Sequence, residues 1–184
     1  MTTTLGAAAG CLGTAAIGFV EKQYIDPGYV YNGVLAGLVS ITSPCAVVSP
    51  FGAIVVGLIG SLVYVGASKG VKAAGIDDAV DAFAVHGACG AWGVIACGLF
   101  ATPFYYSVSY YGDRKDDCAG IFYGGKASGS FAAAFACVFV ILAWVGSTMG
   151  ALFGTLKVTG LLRVSQEIED AGLDDSKHGG AMSE

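Results

Sequence analysis

Charge is what this chain is short of. Only nine of its 184 residues are Lys or Arg and 14 are Asp or Glu, so 12% are charged, where soluble domains carry about 25%. That deficit excludes an ordinary water-soluble domain. The acidic balance, with a pI near 4.8, excludes nucleic acid as a partner, since such binding depends on neutralising phosphates with Lys and Arg. Proline is limited to four residues and histidine to two. The six cysteines, at positions 11, 45, 89, 97, 118 and 137, include no C-x-x-C pair and no nearby histidine that completes a metal set, so no metal site is expected. A Gly-rich phosphate loop and a nucleophile paired with a base are also missing. No cofactor is called for, and nothing argues for an enzyme.

What the chain has in excess is apolar and small residues: 55% are hydrophobic and 29 are glycine. The few charges cluster. None lies between Asp26 and Lys69, between Asp81 and Asp113, or between Lys126 and Lys157, and the first is Glu21. A bilayer core about 30 Å thick needs roughly 20 mostly apolar helical residues, and each gap holds one or two such stretches. The expected architecture is all-α: a polytopic membrane bundle of about five transmembrane helices, near 3–20, 29–47, 50–68, 80–102 and 128–156. The second and third are joined by Ser43–Pro50, whose two prolines read as a tight hairpin at a membrane face or a short re-entrant piece. Segment 50–68 is near the lower length limit and holds Gly52, Gly57, Gly60 and Gly66, so neighbouring helices must shield it.

Orientation follows from Lys and Arg. Lys22, Lys69, Lys72, Lys157, Arg163 and Lys177 fall on one side, read as cytoplasmic; Arg114, Lys115 and Lys126 fall on the other. The C-terminus is then cytoplasmic and the aromatic loop Pro103–Gly125 external. The start, Met1–Gly10, has no basic n-region and reads as a span rather than a signal peptide. It would begin outside with almost nothing polar ahead of it, which leads to the expectation that upstream sequence is missing. Small residues four apart let membrane helices approach closely. Gly6 with Gly10, Gly33 with Gly37, and Gly146 with Gly150 and Gly154 are expected to do so, while His86, Gly90, Gly93 and Cys97 share one face of the fourth helix.

His86 is the candidate site. An imidazole inside an apolar span must face a cavity or a partner, so His86 either lines a conduction path or is a buried histidine satisfied by a backbone carbonyl. Asp77, Asp78 and Asp81 admit two readings as well: a cytoplasmic cation site, or carboxylates that cap the fourth span and favour its positive N-terminal end.

The strings Asn32–Thr42, Asp81–Gly87 and Gly98–Ala101, with the tail strings Gly160–Ser165 and Gly172–Gly180, resemble the ammonium transporter (Amt/Rh) family in the right order over nearly the whole chain. Ile121–Gly125 resembles its eukaryotic, plant-like branch. The resemblance implies an eleven-span protein built mostly from two inverted five-helix repeats, assembled as a trimer with one pore per subunit. This chain aligns with spans seven to eleven and the cytoplasmic tail, the second half of that inverted-repeat fold: residues 1–157 as a partial membrane domain and 158–184 as a regulatory tail. His86 matches the second of two pore histidines; the first, the aromatic gate and the outer recruitment site have no counterpart here. Ala82 and Phe83, one turn away, would line the cytoplasmic exit, with Asp78 and Asp81 beside it. The implied function is ammonium transport, as a truncated or partial transporter in the plasma membrane, with ammonium or ammonia and lipid as partners and assembly as a homotrimer or with a full-length transporter. The alternative is a non-conducting fragment or modulatory subunit. Ser176 falls where plant-type relatives carry a phosphorylatable threonine, and phosphate there would add about −1.5 to −2 charge. Ala181-Met182 departs from the aromatic that relatives place after the Gly-Gly.

Overall fold

The computed structural model describes residues 1–110 and 112–173; Ser176 lies outside the described residues. Among those described the secondary structure is helical. The chain divides into two compact units, Met1–Phe139 and Val140–Glu184, taken in turn.

The first unit is built on α1 (Thr2–Lys22), α2 (Pro27–Thr42), α3 (Pro50–Ala73), a wide π turn (Phe83–Ala88) running into α4 (Cys89–Phe100), and short α5 (Pro103–Ser109). Three of these helices begin the same way. Asp26, Ser49 and Thr102 sit in extended backbone, accept from the N–H of Gly28 (2.7 Å), Gly52 (3.1 Å) and Tyr105 (3.2 Å), and each is followed by proline at the first helical position. The cap satisfies an orphan donor and proline supplies the helical φ; each such cap contributes about 1 kcal/mol.

Two expected boundaries move. The second helix ends at Thr42 instead of near 47: Ser43 still has helical φ and ψ (−67°, −50°), but Pro44 has no N–H to continue the ladder. The turn that follows is held by carbonyls accepting from other elements: Cys45 from Thr2 Oγ1 (2.7 Å), Ala46 from Ser109 Oγ (2.7 Å) and Val47 from the Thr102 N–H (2.8 Å). The third helix reaches Ala73 and is well shielded, with Val56, Gly57, Gly60, Ser61 and Tyr64 all buried. The external loop holds α5 and tight turns at Gly112–Arg114 and Ile121–Tyr123 that the composition did not announce.

α1 and α2 run antiparallel with backbones in contact. A Cβ on Gly10 would lie 2.7 Å from Gly37 Cα, and one on Gly37 would collide with the Gly6 carbonyl. α3 lies against the same seam through Gly57, whose Cβ would meet Ala9 at 3.0 Å. Two apolar clusters fill the unit: Ala36, Tyr64, Val65, Ala84, Val85 and Cys89 toward one end, and Ile41, Val48, Ala53, Val56 and Ala96 toward the other.

α6 (Ala132–Val158) follows a second π turn, Ala127–Phe131, and its first residues belong to the first unit. The remainder of α6 and the short α7 (Gln166–Ala171) make the second unit. A side chain at Gly146, Gly150 or Gly154 would meet nothing within 4 Å, so the close approach expected from their spacing is not found. Among the described residues, four helical stretches are long and apolar enough to cross a membrane: Thr2–Lys22, Pro50–Ala73, Phe83–Phe100 and Ala127–Val158. With α2 they occupy the five stretches anticipated from the charge gaps.

Candidate functional site

The segment from Asp78 to Gly93 has one face fixed to the bundle and one face open. Ala84, Val85, Cys89, Gly93 and Ala96 are buried. Gly93 must be glycine, since a Cβ there would come within 2.6 Å of the Ser40 carbonyl oxygen. Trp92 Nε1 donates to the Val56 carbonyl at 3.0 Å and the Cys89 thiol lies 3.6 Å from that of Gly60, tying this face to α3. Ala82, Phe83, His86 and Gly87 are exposed on the other face. The Phe83 ring lies over Gly87, where a Cβ would come within 2.9 Å of it.

This corrects the expected alignment of His86 with Gly93. Seven residues apart in a regular helix, they would share a face. The π turn closes its hydrogen bonds over five residues rather than four, rotating His86 outward while Gly93 stays against α2. It also corrects the view of His86 as buried: among the described residues neither a carbonyl nor a side chain holds the imidazole. The reading as a core histidine bonded to backbone has no support in the structure.

Immediately before the π turn the chain is anchored by two aspartates. The Asp78 carboxylate accepts from the N–H groups of Ala82 (2.7 Å) and Phe83 (2.9 Å), capping the turn. Asp81 has φ 55°, a left-handed conformation that aspartate tolerates better than most residues. Its carboxylate accepts from Tyr64 Oη (2.9 Å) and Ser68 Oγ (2.8 Å), with Lys72 Nζ at 3.4 Å and Asn32 Nδ2 at 3.5 Å. Asn32 also donates to Tyr64 Oη at 2.9 Å. These groups line a cleft of about 170 Å³ with Asp26 and Tyr29. A larger cleft, about 580 Å³, lies among Arg114, Asp117, Lys126 and Ser130, and none of the expected site residues lines it.

Sequence reasoning missed Tyr64, Ser68 and Asn32. Tyr64, Ser68 and Lys72 recur every four residues along α3, a polar stripe in an apolar helix, and that spacing was the available signal. The same end of the unit gathers the basic residues assigned to one side: Lys22 pairs with Asp26, Lys69 with Glu21, and Tyr29 donates to Glu21 at 3.0 Å.

Burial pushes the Asp81 carboxyl up, but the hydrogen bonds from Ser68 and Tyr64 and the charge of Lys72 outweigh it and leave the pKa below the ordinary aspartate value. A carboxylate depressed in the folded state contributes stability above its unfolded pKa, about 3.9, and loses it as pH falls through the lower folded value. The expected result is a melting temperature in detergent that is flat from pH 7 to 5 and drops below about pH 4. Asp81→Asn should start lower at pH 7 and show a smaller acid drop; an unchanged acid drop would remove Asp81 from the account.

Residues 1–183 match the family described as Ammonium Transporter Family. Ammonium transporter 1 member 2 of Arabidopsis thaliana is 43% identical over 98% of this chain and 34% of its own length, and member 1 from the same plant is 40% identical over 98% and 36%. The chain spans roughly a third of the length of these curated relatives. Among solved structures, Saccharomyces cerevisiae Mep2 superposes with TM-score 0.79 at 24% identity, covering 91% of this chain and 37% of that one. A structure described as Sensor Amt Protein gives TM-score 0.78 at 27% identity, covering 96% and 40%.

Proposed function

The chain belongs to the ammonium transporter family and is a multi-pass integral membrane protein, and on that premise we propose that it forms one wall of an ammonium-conducting pore. One observation carries the reading: an imidazole, His86, stands on an exposed helix face beside Ala82 and Phe83 while the opposite face of the same helix is fixed to α2 and α3. An ionisable side chain at membrane depth belongs against a water-filled or protein-lined passage. Histidine suits ammonium because its ordinary pKa near 6.5 lets one ring nitrogen accept a proton or hydrogen-bond ammonia while the other donates.

In this reading Ala82 and Phe83 line the passage toward the Lys-rich end, the cytoplasmic exit, and Asp78 and Asp81 support the turn there. Residues 1–157 form the membrane domain, and 158–184 a cytoplasmic regulatory tail with Ser176 as its phosphorylation point. The second pore wall is formed by residues outside the given sequence, and the assembly is a homotrimer or an association with a full-length transporter in the plasma membrane. The open His86 face also favours a second reading, in which the chain alone does not conduct and instead modulates full-length partners.

Uptake of labelled methylammonium by yeast lacking its own transporters separates these readings. The chain expressed alone should give no uptake, and coexpression with a complementary first half should restore it. Absence of uptake from the coexpressing cells, with both halves present in the membrane, would refute the pore reading.

A further inference from the structure

We propose that Tyr64, with Ser68, is a positioning residue for the turn that carries His86: its hydroxyl, acting through Asp81, holds the conformation from which Ala82, Phe83 and His86 project. The functional meaning rests on the pore reading above; the geometry does not.

Asp81 immediately precedes Ala82, the N-cap of the π turn. Its backbone N–H returns to the Asp78 carbonyl (3.2 Å) and its own carbonyl accepts from Val85 (2.9 Å), so the left-handed residue is the joint between the preceding loop and the π turn. L-residues hold that conformation only when their surroundings determine it. Asp78 cannot do so relative to the bundle, because its bonds to Ala82 and Phe83 stay within the same short segment. Attachment to the bundle comes from the Asp81 side chain, through Tyr64 Oη on one oxygen and Ser68 Oγ on the other.

Tyr64 is suited to set this joint. It is 3% exposed, part of the apolar cluster with Ala84 and Val85, and its oxygen accepts from Asn32 while donating to Asp81. One hydroxyl thus links α2, α3 and the start of the π turn. Neither Tyr64 nor Ser68 belongs to the exposed face that carries His86, so they act on that face only through Asp81. A π turn is wider than a regular helix and has close alternatives in register, and a fixed joint two residues before it selects one of them.

The test is amide hydrogen exchange of the full chain in lipid nanodiscs. Tyr64→Phe should raise exchange at residues 82–88 about tenfold or more, as expected for loss of one hydrogen bond to a charged acceptor, with the α1–α2 seam unchanged. Ser68→Ala should do the same and Ser68→Thr, which keeps the hydroxyl, should not. In the coexpression uptake assay Tyr64→Phe should lower the maximal rate severalfold and leave KM unchanged. Unaltered exchange at residues 82–88 in Tyr64→Phe, or a loss spread over the whole bundle, would overturn the positioning role. Absence of uptake from the wild-type pair would overturn only the pore reading.

Discussion

His86→Ala should abolish methylammonium uptake in cells that make this chain with a complementary first half, lowering it about 100-fold or more, the usual consequence of removing a group that relays a proton. The expectation is sharp because the imidazole has no visible structural duty. It is exposed and makes no hydrogen bond among the described residues, and substitutions at such positions alter stability by no more than about 0.5 kcal/mol. Membrane level and melting temperature should therefore stay at wild-type values while transport is lost. His86→Gln, which can hydrogen-bond without carrying a proton, should resemble alanine if a proton must pass and retain uptake if only a polar contact is needed. Wild-type uptake by the alanine variant would remove His86 from the mechanism.

The second large effect is on folding. Gly37→Leu should prevent assembly of the first unit, because its side chain would grow into the Gly6 carbonyl and toward Ala7 Cα, 3.0 Å from the new Cβ. These are backbone atoms of a regular helix and cannot swing aside. Overpacking a side chain into a filled interior costs about 1–3 kcal/mol; separating two helices whose backbones touch also forfeits the contacts that hold membrane helices together. Gly10→Leu should behave the same way, since a Cβ there reaches 2.7 Å from Gly37 Cα. Gly66→Ala and Gly70→Ala, where nothing lies within 4 Å, should be neutral or slightly stabilising, as alanine favours helix by about 1 kcal/mol over glycine. Chain level and melting temperature in detergent report all four. A Gly37→Leu chain that melted with the wild type would mean that the α1–α2 seam is not close-packed.

How much of this could be read beforehand differs from element to element. The helices were legible because charge is so sparse that its gaps mark the spans, whereas the cap-and-proline starts at Asp26-Pro27, Ser49-Pro50 and Thr102-Pro103 were recognised only in the structure. Spacing marked Gly6 with Gly10 and Gly33 with Gly37 for close approach to some neighbour, and the structure brings the two pairs together in one seam. The same spacing at Gly146, Gly150 and Gly154 meets no neighbour, because spacing states what a helix can do and not which surface will face it. The π turn was illegible: periodicity arguments assume 3.6 residues per turn, and no residue in Phe83–Ala88 announces a departure. That one local change moves His86 off the face of Gly93. Tyr64 escaped notice because a tyrosine in an apolar helix reads as core, and only its distance from Asp81 shows its hydroxyl at work.

The brevity of α2 has a consequence for the lipid around it. Sixteen helical residues rise about 24 Å at roughly 1.5 Å each, short of a hydrocarbon slab about 30 Å deep. After it the chain turns, and its peptide carbonyls at Cys45, Ala46 and Val47 meet donors from Thr2, Ser109 and Thr102 where hydrocarbon could offer none. A helix too short for its membrane is accommodated by local thinning of the bilayer, by flanking residues that reach the interface, or by assembly with neighbours. Because those three carbonyls are already paired inside the protein, the turn can stand at hydrocarbon depth without an orphaned backbone acceptor there.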